Sequence, residues 1–552
     1  MRLAQVIPDT PELRKARGAF FTPRAVTQYV ADWAIRRRED AVLEPSCGEA
    51  EFLVSAGARL DKLGGPVNGA PQLHGVELHP ESADAARGLL AARGYAAAVR
   101  TGDFFDAPFE RRYDAVVGNP PYVRFQGFTG DARAKAQLSA LSAGVRLSGL
   151  ASSWAAFTVH SAELVTPDGR LGLVLPAELL TVNYAGPVRR YLMQRFASVR
   201  LVMFDERVFP GVMADVVLLL AEGQGPTHQI EVSQARNLSG MGDPPTIRWA
   251  PPNPEAKWTP ALLPSVAAET YARLVREQSF AQLDDWGRTD LGMVSGNNKY
   301  FCLTSEDAAA RKLGKRDLLR ISPPGSRHLR GLSFETRAWK QLEAEGRRVY
   351  LFAPRRDDPS AAALQYIAEG EATGVQEAYK CRVRETWWHV PRVAAPDLLL
   401  TYMNYDAPRM VTNGAAVTYL NSVHGVKLRT EAKEVGRAIL PLASLNSLSL
   451  LGAELVGRAY GGGLLKVEPR EADLLPVPSF AVLAEASDSL RSLQPHLAKH
   501  LRGGDLDGAV SRVDRVLLID HLGMRRAEVA ELRVAREVLF ARRRTRGDNV
   551  AD

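Results

Sequence analysis

The residues best suited to chemistry are Asn119-Pro120-Pro121-Tyr122, which close an apolar run (Tyr113, Ala115, Val116, Val117) through Gly118. Two prolines fix φ and bring no backbone N–H to the corner, so the turn is rigid and rich in acceptors. The Asn119 side-chain oxygen and nearby carbonyls can accept hydrogen bonds from an exocyclic amine while the Tyr122 ring stacks on the plane that carries it. Such a corner raises lone-pair density on the nitrogen and holds it in line with a methyl sulfonium. Asn119 is not a general base, because amides do not titrate. The proton leaves after transfer, when the nitrogen is cationic. The chemistry this allows is direct in-line transfer, helped by positioning and hydrogen bonding.

Asn-Pro-Pro is also an ordinary turn sequence, so the neighbours decide. Upstream stand Gly18-Ala19-Phe20-Phe21-Thr22-Pro23, then Val42-Leu43-Glu44-Pro45-Ser46-Cys47-Gly48, then Gly75-Val76-Glu77-Leu78, then Gly102-Asp103-Phe104-Phe105. They follow one another at about one βα unit apiece, the spacing of a doubly wound sheet.

In this order the motifs resemble the gamma-class amino-methylating DNA methyltransferases that act on N6 of adenine, both the Taq-type enzymes and the longer methylases of type II restriction systems. The resemblance is close over residues 15–222 and looser beyond. It implies an α/β fold: a Rossmann-like S-adenosylmethionine-dependent methyltransferase domain, then a mixed α+β target-recognition domain and a helical C-terminal segment. The expected boundaries are 1–240 (catalytic), 241–285 (linker), 286–480 (target recognition) and 481–552 (helical). The implied cofactor is S-adenosyl-L-methionine and the implied partner double-stranded DNA, with a separate restriction endonuclease or defence-system subunit on another chain. Asn-Pro-Pro-Tyr also occurs in enzymes that methylate guanine N2 in RNA or glutamine in release factors. Those readings stay open here, as do cytosine-N4 methylation and a catalytically silent DNA-binding subunit. Asn at position 119 favours adenine over cytosine.

The cofactor residues follow from the same series. Residues 18–35 read as a turn and an amphipathic helix, with Thr22 as N-cap, Pro23 at the first helical position, and Val26, Tyr29, Val30 and Trp33 at helical spacing. The resemblance lays Phe21-Thr22-Pro23 over the methionine end of the cofactor. Glu44, Pro45, Cys47 and Gly48 form the loop after the first strand, where a doubly wound sheet binds its ligand. An acid there can meet the methionine ammonium. The family usually has Gly-x-Gly in this loop, whereas this chain has Gly48-Glu49-Ala50. Glu77, ending the next strand, can take both ribose hydroxyls. His79 reads as a solvated helix start. Asp103 can accept from the adenine amine or serve as a plain helix cap. Phe104 or Phe105 can cover the ring.

Methylating an amine inside a duplex requires extruding the nucleotide. Tyr122 supplies one stacking face. The segments Val199–Phe204 and Ala214–Leu220 resemble the family's hairpin whose loop aromatic supplies the other, which makes Phe209 the candidate. The catalytic set is thus Asn119, Pro120, Pro121, Tyr122 and Phe209, with Asn119 also touching the cofactor.

In the second half, Gly292–Phe301, Arg384, Trp387, Trp388, Leu398–Tyr402, Arg409, Asn413, Asn421–Gly425 and Gly461–Val467 look like a target-recognition domain. Arg, Asn, Lys and aromatic residues on loops suit base edges and phosphates, and equally suit any loop-rich β domain. Residues 480–545 read as helical. The basic Arg542-Arg543-Arg544-Thr545-Arg546 reads as a DNA contact or a tail. No Asp…Glu-x-Lys constellation marks a fused nuclease, so a stand-alone methylase is expected.

Bulk properties bound these readings. A chain of 552 residues holds two or three domains. Its net charge of +7 suits a polyanionic partner only modestly. Three scattered cysteines, Cys47, Cys302 and Cys381, fit neither a disulfide framework nor a zinc site. With no apolar run of about 18 residues and no signal-peptide pattern, a cytoplasmic location is expected.

Overall fold

The computed structural model describes residues 22–65, 71–204, 208, 216–242 and 244–545. The chain divides into two units, Met1–Leu262 and Leu263–Asp552.

The first unit is built on nine strands: β1 (Val42–Glu44), β2 (Leu73–Glu77), β3 (Ala97–Thr101), β4 (Tyr113–Gly118), β5 (Val165–Pro176), β6 (Ser198–Phe204), β7 (Val216–Glu222), β8 (Ile230–Ala235) and β9 (Thr246–Trp249). Their order across the sheet is β3-β2-β1-β4-β5-β7-β6-β8-β9. The first five run parallel, β7 inserts antiparallel between β5 and β6, and β9 closes the edge antiparallel to β8. Strand order reverses between β1 and β4, so the loops after these two strands flank the switch point, where such sheets open a crevice.

Successive side chains of these strands alternate between two cores, as the period of a strand requires. Val42, Ala115, Val117 and Val174 face one layer, which holds α1 (Arg24–Ala34), α2 (Glu51–Lys62) and α3 (Pro80–Ala92). Leu43, Val116, Leu173 and Leu175 face the other, with α4 (Gly130–Ser142), α5 (Ser153–Glu163) and α6 (Gly186–Arg195). Strands buried on both faces therefore read as continuous apolar runs. Helix α1 comes closest at Gly172 of β5, where a Cβ would lie 2.5 Å from Val30 Cγ1.

Two expectations change here. Pro23, not Thr22, is the N-cap of α1, and no side chain caps the helix. Residues 241–285, expected as a linker, are structured: β9 completes the first sheet, while a helix (Ser265–Arg276) and a strand (Phe280–Gln282) open the second unit.

The second unit has small sheets instead of one large one. Its largest has four strands, in the order Gly287–Leu291, Val423–Leu428, Leu398–Thr401, Met410–Thr412. Helices Phe480–Arg502, Leu506–Val513 and Arg526–Thr545 follow, with a π-helical turn, Asp514–His521, between the last two. The final helix is anchored from inside. Arg543 is buried against Glu454, its guanidinium 2.8 and 3.1 Å from the two carboxylate oxygens, and it also donates to the carbonyls of Tyr405 and Gly463. Arg533 bonds Asp514, which also accepts from Ser447. The Arg543 guanidinium therefore serves neither as a DNA contact nor as part of a tail. Arg409 and Asn413, considered as base readers, are also interior groups. Arg409 pairs with Asp406, and Asn413 ties Pro396 and Val417.

Candidate active site at the carboxyl ends of the parallel strands

A cavity of about 470 Å³ opens beside the switch point. Loops after β1, β2, β3 and β4 build its walls. The loop after β1 turns sharply: Cys47 N donates to Val76 O, Ala50 N donates to Cys47 O, and both Gly48 (φ 48°) and Ala50 (φ 62°) are left-handed. The second is the position where the resembled family has glycine. A side chain there costs about 1–2 kcal/mol. The turn ends directly in α2, whose first amides point back at the cavity.

Glu44 is buried and accepts the Leu53 N–H of that helix start at 3.2 Å. Burial pushes its carboxyl well above the usual carboxylate range, and the nearby Glu77 and Glu51 add to the shift. Glu77 is held differently, one oxygen accepting Gly48 N and the other His79 N, each at 2.9 Å. Burial also pushes the Cys47 thiol up, reinforced by Glu44 and Glu77. Asp103 lines the wall after β3, its carboxylate accepting Phe105 N at 3.0 Å. Phe104 is buried and stacks on Phe157 of α5 at 5.2 Å between ring centres.

The corner after β4 adjoins this wall. Asn119 Nδ2 donates to Thr22 Oγ1 at 3.0 Å, and Asn119 Oδ1 lies 2.7 Å from the Tyr122 hydroxyl. That hydroxyl is also 2.9 Å from Val174 O on β5. A phenol has one proton and an amide oxygen two lone pairs, so Asn119 Oδ1 keeps room for a further donor. The Tyr122 hydroxyl end is sunk in the protein, and burial pushes its pKa well above that of a free phenol. Its ring remains partly exposed. Pro120 is buried. Pro121 lines the cavity, with its carbonyl accepting Ser153 Oγ, while Val123 N donates to that same hydroxyl at 2.9 Å.

The structure thus brings Thr22, Glu44, Pro45, Cys47, Gly48, Glu77, Asp103, Phe104, Asn119 and Pro121 to one cavity, with Tyr122 behind Asn119. Pro23 stands at the head of α1 and does not line it. Phe21 and Phe209 lie outside the described residues. Sequence reading placed Thr22 in the site but gave it the wrong local role, and missed three contributors, Ser153, Leu78 and Phe128. Thr22 acts through Asn119 instead of capping its helix. Ser153 clamps the corner from α5. Leu78 (60% exposed) and Phe128 add apolar wall. Leu78 had a signal, an apolar residue directly after the strand-end acid.

The cavity fits S-adenosylmethionine. Its size is in the usual range for such ligands, about 300–1,000 Å³. It offers carboxylates for ribose and ammonium, and phenylalanines for a base ring. A doubly wound sheet that opens this cavity at its switch point, next to an acceptor-bearing Asn and an aromatic ring, defines the class as a Rossmann-like methyltransferase of planar amines. The comparisons narrow the class. Residues 9–243 match the N-6 DNA Methylase family, and residues 255–518 match the C-terminal domain of the Type II methyltransferase M.Eco57I. Together the two matches and the Type II methyltransferase relatives support an N6-adenine DNA methyltransferase of restriction–modification type.

It is 25% identical to the Type II methyltransferase M.XamI of Xanthomonas campestris pv. amaranthicola, over 84% of this chain and 85% of that one. It is 20% identical to M.AccI of Acinetobacter calcoaceticus, over 92% of this chain and 94% of that one. Among solved structures, the Type IIL restriction-modification enzyme MmeI in complex with DNA shares the fold at a TM-score of 0.52 and 12% identity, over 94% of this chain and 75% of that one.

Proposed function

We propose that this chain transfers the methyl group of S-adenosylmethionine to N6 of an adenine extruded from double-stranded DNA, at one short sequence, as the modification enzyme of a restriction–modification or phage-defence system. The observation that carries the reading is Asn119, braced by Thr22 on one side and Tyr122 on the other, at the edge of an acid-lined cavity. In this reading Glu77 takes the ribose hydroxyls, Glu44 meets the methionine ammonium, and Asp103 with Phe104 and Phe105 holds the adenine. S-adenosylmethionine supplies the methyl group on a sulfonium. Asn119 Oδ1 accepts from the target amine and orients its lone pair, and the proton leaves to solvent after transfer.

The ring of Tyr122 stacks on the flipped base and Phe209 covers its other face. Together they offset an unstacking cost of about a few kcal/mol. Residues 286–480 read the site, and any nuclease is a separate chain. No single helix among the described residues is long and apolar enough to cross a membrane, and we place the enzyme in the cytoplasm with its DNA.

The test is single-molecule sequencing of plasmid DNA from a methylation-deficient host that expresses this chain alone. N6-methyladenine confined to one short motif is the expected result. Unmodified DNA from a host whose purified protein binds S-adenosylmethionine would redirect the reading to RNA or protein substrates.

A further inference from the structure

The cavity lining contains five carboxylates, those of Glu44, Glu49, Glu51, Glu77 and Asp103, and no lysine or arginine among the described residues. Glu44 is the deepest of them. It is 3% exposed, and its one described hydrogen bond is from Leu53 N at 3.2 Å. The charges that bear on it, Glu51 from α2 and Glu77 from β2, raise the cost of its ionisation, and Cys47 of its own loop leaves it unmet. Arg87 of α3, whose charge reaches Cys47, is engaged by Asp84 and Thr101. β4 presents Gly118 to it, whose Cβ position is 3.6 Å from Glu44 Cγ and carries no charge. Glu77 does not share this situation, since each of its oxygens already accepts a loop amide.

An ionised carboxylate buried with one amide donor and no cation is expensive, so such a group takes a proton instead. The ligand changes the balance. At pH 6.5 the methionine end of S-adenosylmethionine brings an ammonium and a sulfonium against its own single carboxylate, a net positive charge whose ammonium can pair with Glu44.

On the reading that this cavity takes S-adenosylmethionine, we propose that Glu44 is a protonated acid in the free protein and releases its proton to solvent when the cofactor's ammonium arrives. The O–H bond of Glu44 breaks, the proton passes to water or buffer, and the ammonium keeps its own protons. Glu44 thereby selects ligands that carry the amine, and it couples cofactor loading to pH. The sign follows from which form binds. The bound state needs the carboxylate, so affinity rises with pH, by up to tenfold per unit. The rise begins above the ordinary glutamate value of about 4.3 and flattens once Glu44 ionises in the free protein.

The test is titration calorimetry at pH 6.5 in two buffers of different ionisation enthalpy, using the full chain. S-adenosylmethionine is expected to release close to one proton per site. 5′-Methylthioadenosine, which keeps the adenosine but has a neutral thioether in place of the sulfonium and lacks the amine and carboxylate, is expected to release none. S-adenosylhomocysteine, which keeps the amine and carboxylate on a thioether, is expected to release as S-adenosylmethionine does. In Glu44→Gln the release with S-adenosylmethionine disappears and its affinity falls, while methylthioadenosine binds as in the parent and reports an intact cavity. Should the variant not fold, the contrast between the amine-bearing ligands and methylthioadenosine in the parent, repeated from pH 5.5 to 8, decides alone. Binding of either amine-bearing ligand without proton release, or equal release by methylthioadenosine, overturns the proposal and leaves the cofactor reading standing. Failure of all three ligands to bind overturns both.

Discussion

In the first unit the charges that matter are acids turned toward a cavity; in the second they are arginines turned inward. Glu44, Glu77 and Asp103 stand at strand ends of one nine-stranded sheet, whose core is already closed on both faces by helices. That sheet can support acids that do nothing for packing. The second unit has sheets of two to four strands, each with less apolar area to bury. There Arg409, Arg533 and Arg543 tie loops and helices together through Asp406, Asp514 and Glu454. The first unit has such an arginine too, Arg189, which holds the carbonyls of Leu179, Val182 and Glu255; what sets that unit apart is the set of acids lining open space at its switch point.

If that contrast holds, substitutions in the two units should fail in different assays. The largest effect is expected from Asn119→Ala. Methylation should fall about 10²–10³-fold, or about 3–4 kcal/mol of transition-state stabilisation, with S-adenosylmethionine affinity and unfolding little changed. An unchanged turnover number would remove Asn119 from the chemistry.

Arg543→Ala should show the opposite pattern, a stability loss of about 3–5 kcal/mol from stranding a buried carboxylate, read by urea unfolding of the second unit. Pairing it with Glu454→Leu sharpens the point, because removing both charges should recover most of the loss. No recovery would mean the arginine's bonds to Tyr405 and Gly463, not the ion pair, hold the helix.

Phe209→Ala should weaken capture of the extruded base by about 1–3 kcal/mol, seen as lost 2-aminopurine fluorescence at the target position. Phe209→Trp should retain most of it. If both behave like the parent, the second stacking face lies elsewhere.

The smallest effect is expected at Ala50→Gly. Relief of a left-handed alanine, about 1–2 kcal/mol, is partly offset by unfolded-chain entropy of about 0.4–1 kcal/mol. A net gain in melting temperature of a few degrees at most should leave cofactor affinity intact. A loss of affinity instead would mean the Ala50 methyl group shapes the loop.

The same contrast explains what the sequence disclosed. β1, β2 and β4 are runs ending in Glu44, Glu77 and Gly118-Asn119, and their order, with the loop after β3, brings these ends to the cavity. Glu44 and Glu77 are legible because each ends a buried run in the order the motifs require; Glu222 ends β7 in the same way but pairs with Arg170 away from the cavity. Thr22 was misread because its hydroxyl answers a partner 97 residues away, Asn119, instead of its own helix, and local capping rules do not see that distance. Ser153 was invisible for the same reason. In the second unit, Arg409, Asn413 and Arg543 looked like nucleic-acid contacts because residue type and loop position are shared by a base reader and a buried staple. Only burial distinguishes them. β9 was taken for linker because its four residues carry too little periodicity to stand out among prolines.

The anchoring of the final helix also bears on protein engineering. Helix Arg526–Thr545 reaches back to the opening helix of its unit through Arg273 and Glu528, to the middle through Glu454, and to the preceding π-helical turn through Asp514, which Ser447 of the middle also bonds. The second unit is therefore closed by its own two ends, like a parcel tied with its wrapping. A graft that exchanges the second unit between relatives must carry both Ser265–Arg276 and the final helix as one cassette. A swap cut at the borders of the sheets alone would leave each parent holding half of the other's knots.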